Sequence, residues 1–264
     1  MGLLDKKNVL ITGSRKGIGR GIALRFASEG ANIGVNDILD DDVSQSVVGE
    51  IRKKGVKSSF LKYDVSTIHG IESTIDDFVN QFGSIDVLIN NAIFQPQNRN
   101  FWDNDEKFWD DVMNLSLKSY FFGAKRAAKH MVDKGRGGRI ISMASVHAYS
   151  AMPNWTIYGV AKAALIRMAK GMAVELRGTG ININCIAPGA ISNSLPVNSK
   201  GSSIDGIPHP DTLGKDIPTP RGGLPSDIAN AALYLSSELG EYVNGETILV
   251  DGGLIAASPL RLPD

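Results

Sequence analysis

Short apolar runs alternate with longer stretches of helical period from one end of the chain to the other. Residues 8–12 (NVLIT) form a short apolar run rich in β-branched residues, the pattern of a strand buried on both faces of a parallel sheet. A glycine-rich turn follows at once. Ile18, Ile22 and Phe26 then recur at helical spacing, which predicts a helix over 18–28 ended by Gly30. A second apolar run at 32–36 completes a β-α-β unit. The alternation continues, predicting strands at 58–63, 86–90, 139–143, 182–187 and 247–250 and helices near 41–54, 67–82, 105–133, 155–177 and 226–236. Seven strands in strict alternation with helices imply an α/β fold built on a doubly wound, seven-stranded parallel sheet. No repeat, low-complexity tract or linker divides the chain, so residues 1–264 read as a single domain.

One segment departs from this regularity. Between 192 and 220, Pro196, Pro208, Pro210, Pro218 and Pro220 mix with Gly201, Gly206 and Gly214. A stretch of that length without periodicity is either a tolerated insertion or a lid over a site. Its position after the sixth predicted strand favours a substrate lid, because ligands of open α/β sheets bind outside the carboxyl ends of the strands.

Composition narrows the function classes. Hydrophobic residues make up 42% of the 264 and charged residues 21%, which excludes a disordered chain. Lys plus Arg and Asp plus Glu both total 28, so no overall charge draws the chain to nucleic acid or anionic lipid, and neither is an expected partner. Cys185 is the one cysteine; it cannot form an internal disulfide, and its apolar neighbours point to a buried thiol and a reducing compartment. The amino terminus carries no secretory apolar region or cleavage site, and no apolar stretch approaches the ~20 residues of a membrane span. The expected location is the cytoplasm.

The turn after the first strand, Gly13-Ser14-Arg15-Lys16-Gly17-Ile18-Gly19, stands between strand and helix. There glycines let backbone approach a pyrophosphate, and the helix N-terminus offers free N–H groups and a partial positive charge. About twenty residues on, Asp37 ends the second strand, where a carboxylate can accept both hydroxyls of an adenosine ribose. Together they predict a dinucleotide site, and the acidic run Asp40-Asp41-Asp42 reads as a solvated helix start. Tyr158 and Lys162 stand four apart on a predicted helix and share a face, an arrangement in which an ammonium favours the phenolate. Ser145, thirteen residues before the tyrosine, lies just past the fifth strand and can meet it from the same side of the sheet. His69, His130, His147 and His209 have no ligand spacing, so no metal site is expected. Trp102, Trp109 and Trp155 read as packing groups, whereas His147, two residues after Ser145, should enter the same cleft.

These motifs, in order and spacing, resemble the short-chain dehydrogenase/reductase family over essentially the whole chain. The matches are Thr12-Gly-x-x-x-Gly-Ile-Gly19, Asp64-Val65, Asn90-Asn91-Ala92, Ser145 with Tyr158 and Lys162, Pro188-Gly189, and Asp251-Gly252-Gly253. The resemblance implies a Rossmann-type fold and a catalytic set in which Tyr158 acts as base, Ser145 holds the substrate oxygen and Lys162 lowers the tyrosine pKa while binding the nicotinamide ribose, so that Tyr158 and Lys162 are cofactor contacts as well. It also implies that Asp64 and Val65 meet adenine, that Asn91 lines the cofactor cleft, and that Pro188, Gly189 and Ile191 contact the nicotinamide end. Two positions depart from the family pattern. Ile93 stands where the family has Gly, and Ser116 stands where the family has a fourth catalytic Asn; Asn114 would face about 200° away on an ideal helix. A serine still offers a relay hydroxyl. Ala144-Ser145-Val146-His147 with Pro188-Gly189-Ala190-Ile191 is similar to the glucose 1-dehydrogenase branch.

The expected activity is hydride transfer between a secondary alcohol or sugar hydroxyl and nicotinamide, aldose oxidation being favoured, with Gln95, His147 and Asn154 as substrate contacts. An NADPH-dependent ketone or 3-oxoacyl thioester reductase is the alternative, and a dinucleotide-binding protein without catalysis a third reading. Arg15 and Lys16 would favour NADP, but the Asp37 carboxylate would repel a 2′-phosphate at short range, so NAD is expected over NADP. The resemblance further implies a homotetramer packed through the helices near 105–133 and 155–177.

Overall fold

The apolar runs become the central layer of the molecule. A computed structural model describes residues 2–94, 99–192 and 217–256. Its strands are β1 (Asn8–Ile11), β2 (Asn32–Asp37), β3 (Ser58–Lys62), β4 (Val87–Asn90), β5 (Gly138–Met143), β6 (Ile181–Pro188) and β7 (Thr247–Val250). All pair in parallel in one sheet of order β3-β2-β1-β4-β5-β6-β7. Each strand starts and ends within one residue of its predicted bounds. β1 lies between β2 and β4, Ile11 standing opposite Val35 and Ile89. The chain thus winds outward in both directions from β1, and the carboxyl ends of β1 and β4 open the crevice where such sheets bind ligands.

The helices are α1 (Gly17–Ser28), α2 (Asp42–Arg52), α3 (Ile68–Phe82), α4 (Glu106–Met113), α5 (Ser119–Lys134), α6 (Thr156–Glu175) and α7 (Pro225–Ser236). Period-two alternation along the strands divides the core between the two faces. On one face Val9, Ile11, Ile33 and Ile89 pack with Ile22 and Phe26 of α1, Val47 and Ile51 of α2 and Ile228 of α7. On the other, Leu10, Leu61, Leu88 and Ile183 pack with Ile75 and Phe78 of α3, Tyr120 and Ala127 of α5 and Leu165 of α6. Polar side chains fix where helices begin: Asp41 accepts the N–H groups of Val43 and Ser44, Thr67 that of Gly70, and Asp105 that of Phe108.

The single helix expected over 105–133 is interrupted. Residues Asn114–Lys118 form a π-helical turn between α4 and α5. The extra residue per turn changes which side chains face inward, so the ideal-helix angle for Asn114 does not apply. Asn114 is half-buried and Ser116 fully buried. The expected lid at 192–220 lies largely outside the described residues. No helix among those described is long and apolar enough to cross a membrane.

Candidate active site

The glycine turn is tied to both strands that flank β1. The Thr12 hydroxyl accepts the N–H groups of Asn91 and Ala92 at 2.9 and 3.1 Å, and the Asn91 amide donates to the carbonyls of Thr12 and Gly13 at 2.9 and 3.0 Å. Ser14 donates its N–H to the carbonyl of Asn36 (2.9 Å), and its hydroxyl accepts the Asn36 N–H (3.2 Å). Asn91 therefore spends its side chain holding the turn. Gly13 adopts φ +61°, and a Cβ there would lie 2.7 Å from Ala92 Cα. A Cβ on Gly19 would lie 2.6 Å from the Asn91 amide nitrogen. Only glycine lets these backbones approach so closely.

The first bond of α1 runs from the Arg20 N–H to the Lys16 carbonyl, so the N–H groups of Gly17, Ile18 and Gly19 have no helical acceptor. No side chain caps this end and no carboxylate stands in the first turn. The turn's chemistry fits an anion such as a pyrophosphate. Asp37 is half-buried at the end of β2, one residue beyond the Asn36 that pairs with Ser14, and one carboxylate oxygen accepts the Leu39 N–H at 3.2 Å. Val65 is buried past β3, whereas Asp64 is exposed and accepts the Ser66 N–H. The acidic run beside Asp37 is not merely solvated: Asp41 caps α2 and binds Arg15 through a forked ion pair.

Ser145, Tyr158 and Lys162 converge at the ends of β5 and α6. Ser145 is buried and starts the short 3₁₀ turn Val146–Ala148; its hydroxyl accepts the His147 N–H at 3.2 Å and lies 3.1 Å from His147 Nδ1. Tyr158 keeps part of its surface open to the cleft, yet burial pushes its phenol up to about 12, with a hydrogen bond from Ser145 pulling the other way. Lys162 is fully buried. Its ammonium donates to the Met143 carbonyl at 2.7 Å and lies 5.0 and 5.4 Å from the ring centres of Tyr120 and Tyr158. Burial brings this lysine down to about 7. That reverses the sign expected from spacing alone. Sequence places the ammonium beside the phenol, but desolvation of both groups outweighs their mutual effect in the protein itself.

Sequence pattern alone marks Trp155 as a packing group apart from the cleft, but the His147 and Trp155 rings stand 4.8 Å apart, with Tyr158 at 5.7 Å from His147 and 5.4 Å from Trp155. Trp155 therefore packs on the site itself. Burial lowers the His147 imidazole below its ordinary value, and its Nε2 is buried without a partner among the described residues. Tyr120, a position that no motif or spacing marks in the sequence, is fully buried and donates its hydroxyl to the Ala92 carbonyl at 3.0 Å. It joins the lysine to the strand-four end. Ser116 Oγ is likewise buried without a partner among the described residues. Ile93 is exposed next to this end. Asn154 is exposed in a left-handed conformation, φ 70°. Gln95 lies outside the described residues.

Pro188 closes β6, Gly189 donates to the Val250 carbonyl, and Ile191 bridges to Gly223. Asp251 braces the same edge by accepting the N–H groups of Gly253 and Ile255. Among the described residues no group of three His, Cys, Asp or Glu could hold a metal ion.

A family model described as enoyl-(acyl carrier protein) reductase matches residues 13–255. The chain is 36% identical over 248 residues to the 3-oxoacyl-[acyl-carrier-protein] reductase FabG of Staphylococcus epidermidis, covering 94% of this chain and 98% of the relative. It is also 36% identical over 254 residues to 2-dehydro-3-deoxy-D-gluconate 5-dehydrogenase of Escherichia coli, covering 96% and 97%. The structure of acetoin dehydrogenase YohF from Salmonella typhimurium superposes with a TM-score of 0.87 at 32% identity, over 97% of this chain and 99% of that one.

Proposed function

The chain belongs to the short-chain dehydrogenase/reductase family of nicotinamide-dependent oxidoreductases, and from that premise we propose that it oxidises a polar secondary alcohol, an aldose or polyol, with Tyr158 as base. The observation that carries this reading is the convergence of Ser145, Tyr158 and Lys162 with the His147 imidazole hydrogen-bonded to the serine. A bound nicotinamide dinucleotide supplies the two-electron acceptor for the carbon-bound hydrogen and, when oxidised, a positive charge. Gly13, Ser14, Arg15, Lys16, Gly17, Ile18 and Gly19 would hold its diphosphate side. Asp37 would take its adenosine ribose, Asp64 and Val65 its adenine, and Asn91, Pro188, Gly189 and Ile191 its nicotinamide end.

Tyr158 takes the hydroxyl proton as the C–O bond becomes a carbonyl. Ser145 donates its own hydroxyl proton to the substrate oxygen and so holds it beside the phenol. Lys162, one helical turn along α6 from Tyr158, would bind the nicotinamide ribose and, when charged, favour the Tyr158 phenolate. The buried hydroxyl of Ser116 is a further relay group. His147 Nε2, left without a partner by the protein, can serve a hydroxyl next to the reacting carbon, and Gln95 and Asn154 supply further polar contacts. A polar site of this kind rejects substrates that leave its groups unpaired.

A second reading, a ketone or 3-oxoacyl thioester reductase, is supported by the 36% identity to FabG. Steady-state turnover on aldoses, polyols, simple ketones and 3-oxoacyl thioesters separates the two. Higher kcat/KM for a sugar or polyol supports the first; activity confined to ketones or thioesters overturns it. NAD is the preferred cofactor, supported by Asp37 at the ribose end. We place the enzyme in the cytoplasm as a homotetramer. A groove of about 520 Å³ between α5 and α6, lined by Phe121, Phe122, Met168 and Met172, supports association through these helices.

A further inference from the structure

The turn that would receive the dinucleotide carries a cation whose charge is already engaged. Arg15 follows Ser14, and Asp37 follows Asn36; Ser14 and Asn36 are hydrogen-bonded to each other, so Arg15 and Asp37 flank the same end of β2. Arg15 Nε donates to both oxygens of Asp41 at 2.9 and 3.1 Å, and a terminal nitrogen donates to Oδ2 at 2.5 Å. The arginine side chain is only 15% exposed.

Asp41 is itself fixed. Its Oδ1 accepts the N–H groups of Val43 and Ser44, both at 3.1 Å, and its backbone N–H donates to the Ser44 hydroxyl at 2.9 Å. The carboxylate therefore cannot follow the guanidinium without uncapping α2. The fork also matches the planar geometry in which arginine binds a carboxylate or a phosphate, so the two are competing partners for one donor set.

We propose that Asp41 is a specificity-determining residue that withholds Arg15 from a ribose 2′-phosphate. The inference rests on the dinucleotide reading of the turn. Selectivity for NAD is then built from two carboxylates with different jobs: Asp37 repels a 2′-phosphate directly, and Asp41 occupies the guanidinium that would otherwise attract it. Substituting Asp37 alone leaves Arg15 paired, so it removes the repulsion without adding an attraction.

The test is calorimetric binding of ADP-ribose and 2′-phospho-ADP-ribose to wild type, Asp41→Asn and Asp41→Asn/Arg15→Gln. Asparagine retains the helix cap while removing the charge, and a thermal melt followed by circular dichroism checks the fold. Asp41→Asn should tighten 2′-phospho-ADP-ribose by about fivefold, the size of a strong partly exposed ion pair, with ADP-ribose changing by less than about twofold. Adding Arg15→Gln should abolish the gain. An unchanged 2′-phospho-ADP-ribose affinity, an equal change for both ligands, or a gain that survives Arg15→Gln overturns the proposal. Failure of wild type to bind either ligand overturns the dinucleotide reading, and the proposal with it.

Discussion

Replacing Lys162 by methionine should make the protein more stable near neutral pH while disabling it. Lys162 is fully buried, and in the described residues its ammonium has one hydrogen-bond acceptor, the Met143 carbonyl, and two aromatic faces. Its folded value is about 7 against 10.5 for a free lysine. The unfolded chain thus binds more protons than the folded one between those values, so this group's contribution to stability rises as pH rises through that window. At pH 7.5 about three units separate the solution from the unfolded value, and at about 1.4 kcal/mol per unit the lysine costs about 4 kcal/mol. At pH 10 the same reasoning leaves about 1 kcal/mol. Methionine fills a similar volume without charge but leaves the Met143 carbonyl without a donor, a loss of about 1–3 kcal/mol that does not depend on pH. Lys162→Met should therefore gain about 1–3 kcal/mol at pH 7.5, and the advantage over wild type should shrink by about 3 kcal/mol by pH 10. The buried Cys185 thiol and Tyr158 phenol, both pushed up to about 12, are present in both proteins and largely cancel in the difference. Urea denaturation at the two pH values measures it. A difference between the proteins that is the same at both would refute the reasoning.

Three other outcomes follow from the same geometry. Ser116→Ala removes a buried hydroxyl without a partner among the described residues, so stability should stay within about 1 kcal/mol or rise, and turnover should fall less than about tenfold; steady-state kinetics and a melt check both. Because burial keeps Tyr158 mostly protonated at neutral pH, kcat/KM for alcohol oxidation should climb with pH between about 7 and 10, and a flat profile would count against a tyrosine base. Catalytic efficiency with NAD should exceed that with NADP by at least about tenfold, measured by kinetics with both cofactors.

Much of this was legible in the chain because the signals are local. Six of the seven strands are short runs carrying Val, Ile or Thr, β3 instead presents Phe60 and Leu61, and the turn from Gly13 to Gly19 needs glycines where backbone must approach backbone. Ser145, Tyr158 and Lys162 could be brought together by reading strand end, turn and helix. Other features depend on surroundings that spacing does not encode. The π turn at Asn114–Lys118 hides within a continuous helical pattern, since one extra residue barely disturbs apolar periodicity. The adjacency of Tyr158 and Lys162 was visible, but the sign of their shifts was not, because desolvation is set by Tyr120, Cys185 and the strand ends packed around them. Asp41 looked like a solvated helix start because its partner, Arg15, lies 26 residues earlier and meets it only once β1 and β2 pair.

The central claim, that Tyr158 is the proton acceptor in a nicotinamide-dependent oxidation, is tested most directly by Tyr158→Phe. The variant keeps the ring that packs on His147 and Trp155 and removes only the hydroxyl. Reduced nicotinamide formation would be followed for wild type and variant on the best alcohol substrate, with ADP-ribose affinity measured in parallel. The account predicts that kcat/KM falls by at least about 10²-fold while ADP-ribose binds within about twofold of wild type. Wild-type turnover by Tyr158→Phe would contradict it.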